Sequence, residues 1–212
     1  MNALQLLQVR VTPRNAERPL FPDLTVTIPA GEVLTLMGPS GIGKSTLVDF
    51  IGGHLGPGFR ATGRVLLNGR DMTALPAEAR GIGILFQDAV LFPHLSVGDN
   101  LAFGLSGAVR GRRDRRRKVE DALDRAGLPG FYDRDPATLS GGQRARVALM
   151  RALLAEPRAL LLDEPFAKLD PELRQEIRAF VLDHVRARDI PVLMVTHDAS
   201  DAEAAGGPRI SL

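Results

Sequence analysis

The chain has 212 residues, 44% apolar and 25% charged, and its 27 Lys and Arg against 25 Asp and Glu leave a formal net charge of +2. These values exclude a disordered, collagen-like or disulfide-stapled protein, and the near balance of charge gives no sign of a nucleic-acid partner. With no cysteine, disulfides, zinc–thiolate sites and thiol nucleophiles are excluded too.

The length suits one domain, alone or with an inserted lobe. No stretch approaches the roughly 18 uncharged apolar residues of a membrane span. Met1 to Gln5 carries no basic leader before an apolar run. A protein made in the cytosol, soluble when isolated and reaching any membrane through a partner, is expected.

In chain order, Leu4 to Val11 and Leu24 to Ile28 alternate like half-buried strands. Val33 to Met37 is a dense apolar run that ends at a glycine-rich turn, and Lys44 to Ile51 follows with helical spacing. Val65 to Leu67 and Ile82 to Phe86 are further strand candidates. Residues 88–137 lack buried-strand runs and read as an inserted helical lobe. Its most basic stretch, Arg110 to Lys118, reads as a solvated loop leading into a helix over Val119 to Ala126. Contact with anionic lipid headgroups is the sharper reading of that stretch. A helix is expected over Arg144 to Ala155. Ala159 to Leu162 and Val192 to Val195 read as fully buried parallel strands, joined by a helix over Pro171 to Arg188 with Leu173, Ile177, Phe180, Val181 and Val185 on one stripe. Ala204 to Pro208 reads as a loose tail. Strand, helix and strand repeated in this way predict an α/β fold with a parallel sheet.

Three motifs carry chemistry. Gly38, Pro39, Ser40, Gly41, Ile42, Gly43, Lys44, Ser45 and Thr46 match G-x-x-x-x-G-K-[ST] between a strand and a helix, the context of a phosphate loop. Its glycines let backbone N–H groups converge on anionic oxygens, the helix N-terminus adds partial positive charge, Lys44 reaches the outer phosphates, and Ser45 can offer its hydroxyl to Mg²⁺. Asp163 and Glu164 stand at the end of a buried strand, where ligands of parallel sheets sit. Asp163 suits Mg²⁺, and Glu164 suits activation of a water. Leu139-Ser140-Gly141-Gly142-Gln143 opens a helix as a second anion cradle, which one nucleotide per chain does not need. Its natural use is to close over nucleotide held by another copy.

The phosphate loop, Leu139-Ser140-Gly141-Gly142-Gln143 and Leu160-Leu161-Leu162-Asp163-Glu164-Pro165, in that order, resemble the ATP-binding subunit of an ABC transporter, from Leu4 to about Asp201. The resemblance implies a P-loop NTPase with a mainly parallel sheet flanked by helices, an N-terminal antiparallel β portion and an inserted helical subdomain. It also implies one ABC ATPase domain over 1–212, with 1–87 and 138–212 as the nucleotide-binding core and about 88–137 inserted. It assigns Gln87 to the Q-loop, touching Mg²⁺ and the attacking water, and His197 to the switch histidine at the γ-phosphate. It assigns Asp170 to the D-loop at the dimer interface. Ser140, Gly142 and Gln143 would contact ATP held by the partner chain in a head-to-tail homodimer.

Phe86 to Asn100 resembles subunits of bacterial importers that work with periplasmic binding proteins, the thiamine, ferric-iron, sulfate and molybdate group. The implied partners are integral membrane permease subunits and, indirectly, a solute-binding protein outside the membrane. The implied place is the cytoplasmic face of the inner membrane. Leu91, Phe92 and Leu95 line the groove for a coupling helix or else belong to the lobe's core. A soluble ABC ATPase acting on ribosomes or DNA, and an exporter subunit, are the alternative readings. Three features depart from the pattern. Residues 1–20 contain no Phe, Tyr or Trp, where most members place an adenine-stacking aromatic, so Arg14 is considered for that role. Ala167 stands where Ser is commoner. The sequence runs only 15 residues past His197, with no regulatory domain. His54, His94 and His184 read as structural or exposed.

Overall fold

The structure, a computed structural model, describes residues 2–212. The first half forms β1 (Ala3–Pro13), β2 (Leu24–Pro29), β3 (Val33–Met37), α1 (Lys44–Gly52), β4 (Phe59–Leu67), β5 (Arg70–Asp71), α2 (Ala77–Arg80) and β6 (Ile82–Leu85). The second half forms α3 (Val97–Gly104), α4 (Arg112–Arg125), α5 (Gly141–Leu154), β7 (Ala159–Asp163), α6 (Pro171–Arg188), β8 (Val192–Val195), α7 (Ala199–Ala205) and β9 (Arg209–Ser211).

Two sheets result. An antiparallel one runs β2-β1-β4-β5, and a parallel one runs β6-β7-β8-β3-β9. The central strands β3, β7 and β8 are buried on both faces, and their alternate side chains feed two cores. Leu34, Leu36, Leu161, Leu193 and Val195 point toward α1 and the antiparallel sheet. Val33, Leu160, Leu162, Val192 and Met194 point the other way, to the side of α3, α4, α5 and α6. At roughly 2 kcal/mol for each fully buried aliphatic side chain, these central strands are the main apolar anchor of everything at their ends.

The helical layer reaches past residue 137. Val147, Met150 and Leu153 of α5 share one core with Leu101 of α3 and Val119 and Leu123 of α4. Arg146 of α5 donates from Nη1 to the Ala126 carbonyl at 2.7 Å, at the C-terminus of α4.

Three local expectations are corrected. The basic run is not a loop, because α4 begins at Arg112. Arginine is a good helix former, Asp114 lies in the first turn, and Arg117–Asp114 and Arg116–Glu120 pair along the surface. Arg115 fastens the start by donating to the carbonyls of Val109 and Ala102. The tail is not loose either. Ala202 and Ala205 of α7 are buried, and β9 adds to the parallel sheet beside β3, with Thr35 opposite Arg209 and Met37 opposite Ser211. Two small apolar residues sufficed because the existing edge of β3 supplied the pairing. β4 is longer than the apolar run at Val65, because its polar half, Phe59 to Thr62, pairs with Arg10 to Pro13 of β1.

One buried cation holds the α1 region. Arg80 donates from Nη1 to the carbonyls of Phe50 and Ile51 at 2.9 and 2.7 Å, from Nε to Leu75 at 2.9 Å, and from Nη2 to Thr73 at 2.9 Å. It thus satisfies the last carbonyls of α1, where a cation also meets the negative end of the helix. Burial pushes its pKa down. Replacement of Arg80 by Met is expected to cost about 2–4 kcal/mol in urea unfolding, since it strips partners from these carbonyls. A loss below about 0.5 kcal/mol would contradict this cap.

Candidate functional site

The site grows from strands that end level. Leu36 of β3 pairs with Val195 of β8, and Val195 pairs with Asp163 of β7. The segments after β3, β8, β7 and β6 therefore leave the same sheet edge side by side, bringing together the phosphate loop, His197, Glu164 and Gln87. This is the carboxyl edge, where parallel sheets hold ligands.

The phosphate loop turns through Gly41 and Gly43, at φ +83° and +104°, values that a residue with a Cβ adopts only under strain. A Cβ on Gly41 would meet nothing within 4 Å, whereas one on Gly43 would lie 2.7 Å from Leu20 Cδ1. Gly43 is the N-cap of α1, and no side chain caps that end. The first amides of α1 are thus free to bind an anion, with the helix dipole behind them. Lys44 is buried, and its Nζ donates to the Gly38 and Pro39 carbonyls at 2.8 and 2.9 Å. The Ile42 amide donates to Pro39 across the loop at 3.4 Å.

Beside the loop lies a cleft of about 320 Å³ lined by Leu20, Ser40, Gly41, Gly43, Lys44, Ser45, Thr46, Phe59, Gln87, Asp163 and Glu164. Asp163 is only 4% exposed. Burial pushes its pKa up, and Glu164 and Asp49 add to this. A hydrogen bond from Ser45 and the charge of Lys44 pull the other way. A carboxylate that loses water and gains no full counter-charge favours a cation. Asp163 and the Ser45 hydroxyl offer two hard oxygens, and Gln87 offers a third nearby. Among the described residues no cluster of three His, Cys, Asp or Glu could hold a metal alone. That fits Mg²⁺, which takes one or two protein oxygens and completes its shell with phosphate and water.

Glu164 sits at φ +49°, with its amide bonded to the Val195 carbonyl at 2.9 Å. This fixes a left-handed turn straight after β7. Its Oε1 accepts from His197 Nδ1 at 2.7 Å, with the His197 side chain 66% exposed and that of Glu164 11%. The segment carrying His197 is held on its far side. Asp198 caps α7, and hydrogen bonds from the Ser200 hydroxyl and amide hold its carboxyl down at about 2. Behind it, buried Asp201 accepts from Arg174 Nε at 3.1 Å, from its Nη2 at 2.5 Å, and from Arg178 at 3.2 Å. That clamp binds α7 to α6.

Ser140 and Gln143 are placed elsewhere. They close a capping box at the start of α5: the Gln143 amide donates to Ser140 Oγ at 3.2 Å, and the Ser140 amide to Gln143 Oε1 at 2.9 Å. A Cβ on Gly142 would press on the Lys168 carbonyl at 3.1 Å, while one on Gly141 would meet open space. None of the three residues assigned to the partner's ATP lines the cleft of its own chain. Asp170 caps α6 through its Oδ1, which accepts from Leu173 at 3.1 Å.

Four features escaped the sequence reading. Lys168 Nζ donates to Asp88 Oδ1 at 2.6 Å, tying the segment after β7 to the one after Gln87; residues 80 apart give no local signal. The Arg174–Asp201 clamp is likewise distant in sequence. Leu20 and Phe59 line the cleft although neither belongs to a motif. Arg14 does not line it, because its Nε donates to the Pro57 carbonyl at 2.8 Å. His54 packs edge-on to Phe86. Burial lowers the His184 pKa, and the charges of Arg188 and Arg125 add to this.

A family described as ABC transporter matches residues 21–167 of the chain. The chain is 53% identical over 194 residues to YnjD of Escherichia coli (strain K12), titled an uncharacterized ABC transporter ATP-binding protein, covering 92% of this chain and 89% of YnjD. It is 43% identical over 184 residues to the Fe(3+) ions import ATP-binding protein FbpC 1 of Rhizobium meliloti (strain 1021), covering 87% of this chain but 51% of that protein. The chain thus spans most of YnjD and about half of this longer importer subunit. Its fold matches MJ0796, a bacterial ABC transporter cassette solved as a dimer, with a TM-score of 0.85, 30% identity, and 99% and 94% of the two chains covered.

The raised pKa of Asp163 carries a stability consequence. The folded carboxyl holds its proton to higher pH than the unfolded one, so stability falls as pH rises from the ordinary value of 3.8 through the raised one. Asp163→Asn keeps the acceptor for Ser45 and removes the charge. It is expected to raise the nucleotide-free Tm at pH 7 by about 2 °C or more, with the gain fading toward pH 4. An unchanged or lower Tm at pH 7 would refute the unfavourable charge.

Proposed function

We propose, from the premise that the chain belongs to the ABC transporter family, that two copies bind and hydrolyse ATP as a head-to-tail pair and thereby power solute import through membrane permease subunits. The observation that carries this is the separation of two anion cradles on one chain. The uncapped start of α1 borders the cleft, which Ser140, Gly142 and Gln143 do not line, and a Cβ on Gly141 would meet open space. A two-fold pairing lets each cradle complete the other copy's site.

The capping box is compatible with that use. A hydroxyl has two acceptor lone pairs and one donor hydrogen, and a carboxamide has an acceptor oxygen and a donor NH₂. Ser140 and Gln143 cap α5 with acceptors only, so Ser140 O–H and Gln143 N–H remain for phosphate oxygens. Lys44 is held in reserve by two carbonyls and transfers to phosphate oxygens, a charge-assisted and stronger partner.

Asp163, Ser45 and Gln87 would hold Mg²⁺, which supplies charge neutralisation across the phosphates when bound. Glu164 Oε1 takes a proton from water as the water oxygen bonds to the γ-phosphorus and the bond to the ADP oxygen breaks. His197 holds Glu164 in the free chain and, once exchanged onto a γ-phosphate oxygen, releases it to act as base. Asp170, beside the partner-facing Gly142 surface, lines the join between copies.

Among the described residues no helix is long and apolar enough to cross a membrane, so attachment to the inner membrane's cytoplasmic face runs through the permease. The half-buried Leu91, Phe92 and Leu95, beside Val90 and Phe103 at 66% and 68% exposure, form its docking groove. Phe92 and Phe103 meet edge to face at 4.7 Å. Solute choice lies with the permease and the external binding protein.

Mixing variants tests the pairing. Lys44→Ala and Ser140→Arg are each expected to abolish ATP hydrolysis alone, because every site in either homodimer contains one defect. Mixed together, they form heterodimers with one doubly damaged site and one intact site, and hydrolysis should return to about a quarter of the wild-type rate. No recovery, with heterodimers demonstrated by crosslinking, would place both defects in one chain's site and refute the shared pocket.

A further inference from the structure

We infer that the nucleobase of the bound triphosphate rests on Phe59, an aromatic supplied by β4, with Leu20 filling the gap to the phosphate loop. This rests on the nucleotide reading of the cleft and adds what holds the base. The N-terminal stretch that ends at Leu20 contains no aromatic, so the ring comes from the strand paired with it. Phe59 is opposite Pro13 in the β1–β4 ladder. It is half-buried: part of it packs on the core formed with α1, and part lines the cleft that Lys44 also lines.

Its surroundings are fixed rather than loose. The Arg14 amide donates to Gly58 at 2.8 Å, and the Arg14 guanidinium donates to Pro57 at 2.8 Å, so Arg14 fastens the turn that delivers Phe59. The Leu20 amide donates to the Val11 carbonyl at 2.9 Å, and Leu20 touches the phosphate loop so closely that Gly43 has no room for a Cβ. Farther along the ladder, Gln8 (φ +51°) and Gly63 (φ +93°) mark a register shift between Leu7 and Arg10. A Cβ on Gly63 would strike the Gln8 carbonyl. Such a bulge bends and twists a strand pair, here aiming the far half of β4 toward the phosphate loop.

The chemistry of the lining sets the specificity. Every polar side chain of the cleft belongs to the phosphate loop, to the end of β7 or to the segments after β6 and β7. The remaining lining is Leu20 and Phe59, with neither donor nor acceptor in their side chains. A base is therefore recognised by its π-face, which every base has, and not by its hydrogen-bonding edge. ATP and GTP should bind within about threefold of each other.

The chain contains no tryptophan, so Phe59→Trp creates a single reporter at the platform. ATP and GTP are expected to quench its fluorescence, and inorganic tripolyphosphate, which lacks a base, to leave it unchanged. Phe59→Ala should weaken ATP binding by about tenfold in calorimetry while tripolyphosphate binds as in the wild type. Wild-type ATP affinity in Phe59→Ala, or no quench of the bound Trp variant, overturns the platform while leaving the phosphate site standing. Failure of the wild type to bind either ATP or tripolyphosphate overturns the nucleotide reading itself. Should Phe59→Ala lose both ligands through misfolding, the Trp variant alone decides.

Discussion

The molecule turns on a pair of electrostatic debts at one sheet edge. The positive end of α1 has amides with no cap, and in the same cleft the buried carboxylate of Asp163 has only the Ser45 hydroxyl and the charge of Lys44 to offset it. Neither could be repaired without closing the cleft. An Asp at the N-cap would occupy the place of a phosphate, and an Arg beside Asp163 would occupy that of the metal. On the proposed function, a magnesium–triphosphate complex would bring both missing charges at once, anion to the helix and cation to the carboxylate. Affinity for that ligand and the unfavourable burial of the Asp163 charge would then share one origin.

That edge is placed by packing. The central strands stay level because their side chains alternate between two cores, and a register slip would turn both faces inside out. The loops then inherit their positions. Where a loop must be aimed more finely, the fold adds a charged fastening from outside: Arg80 at the far end of α1, Asp201 behind His197, and Lys168 joined to Asp88. The last is exposed at both partners, so it is weak in water and easily exchanged. It links the segment after β7 to the one leading into the helical layer by a contact that breaks and re-forms at little cost. By contrast, the Asp201 clamp is buried and multidentate, and it holds α7 to α6 as one piece.

What could be read from the sequence divides along the range of the forces involved. The phosphate loop, Asp163, Glu164 and the buried strands were readable because each is a short pattern with its own physics: glycines where φ must be positive, apolar runs where both faces are covered. The capping box of Ser140 and Gln143 is equally local. β9 and the front half of β4 were not readable, because their own residues are too polar or too few to announce a strand, and their pairing is donated by a neighbour. The helix through Arg112 to Lys118 was missed for the opposite reason. Charge density suggested solvation, yet arginine has helical propensity of its own, and pairing at i+3 and i+4 with two bonds from Arg115 supplied the rest. Phe59 gives no sequence signal, because no motif contains it and only the pairing of β4 with β1 brings it to the cleft.

In the free chain, side chains of both cradles are already engaged. Lys44 bonds to the carbonyls of its own loop, Glu164 to His197, and Ser140 to Gln143, so these side chains already have partners, whereas the first amides of α1 have no side-chain cap. On the proposed function, entry of the triphosphate would exchange the hydrogen bonds of these side chains, and the net gain at each exchange is small next to the gross strength of any one bond. A site built from such exchanges can be filled and emptied repeatedly. In the proposed pair the second copy would add its Ser140 and Gln143 donors without surrendering the acceptors that cap α5, so bonds would be gained there as at the uncapped amides of α1. Part of the binding free energy would then fall at the join between copies, where a device that opens and shuts on each round of hydrolysis needs it.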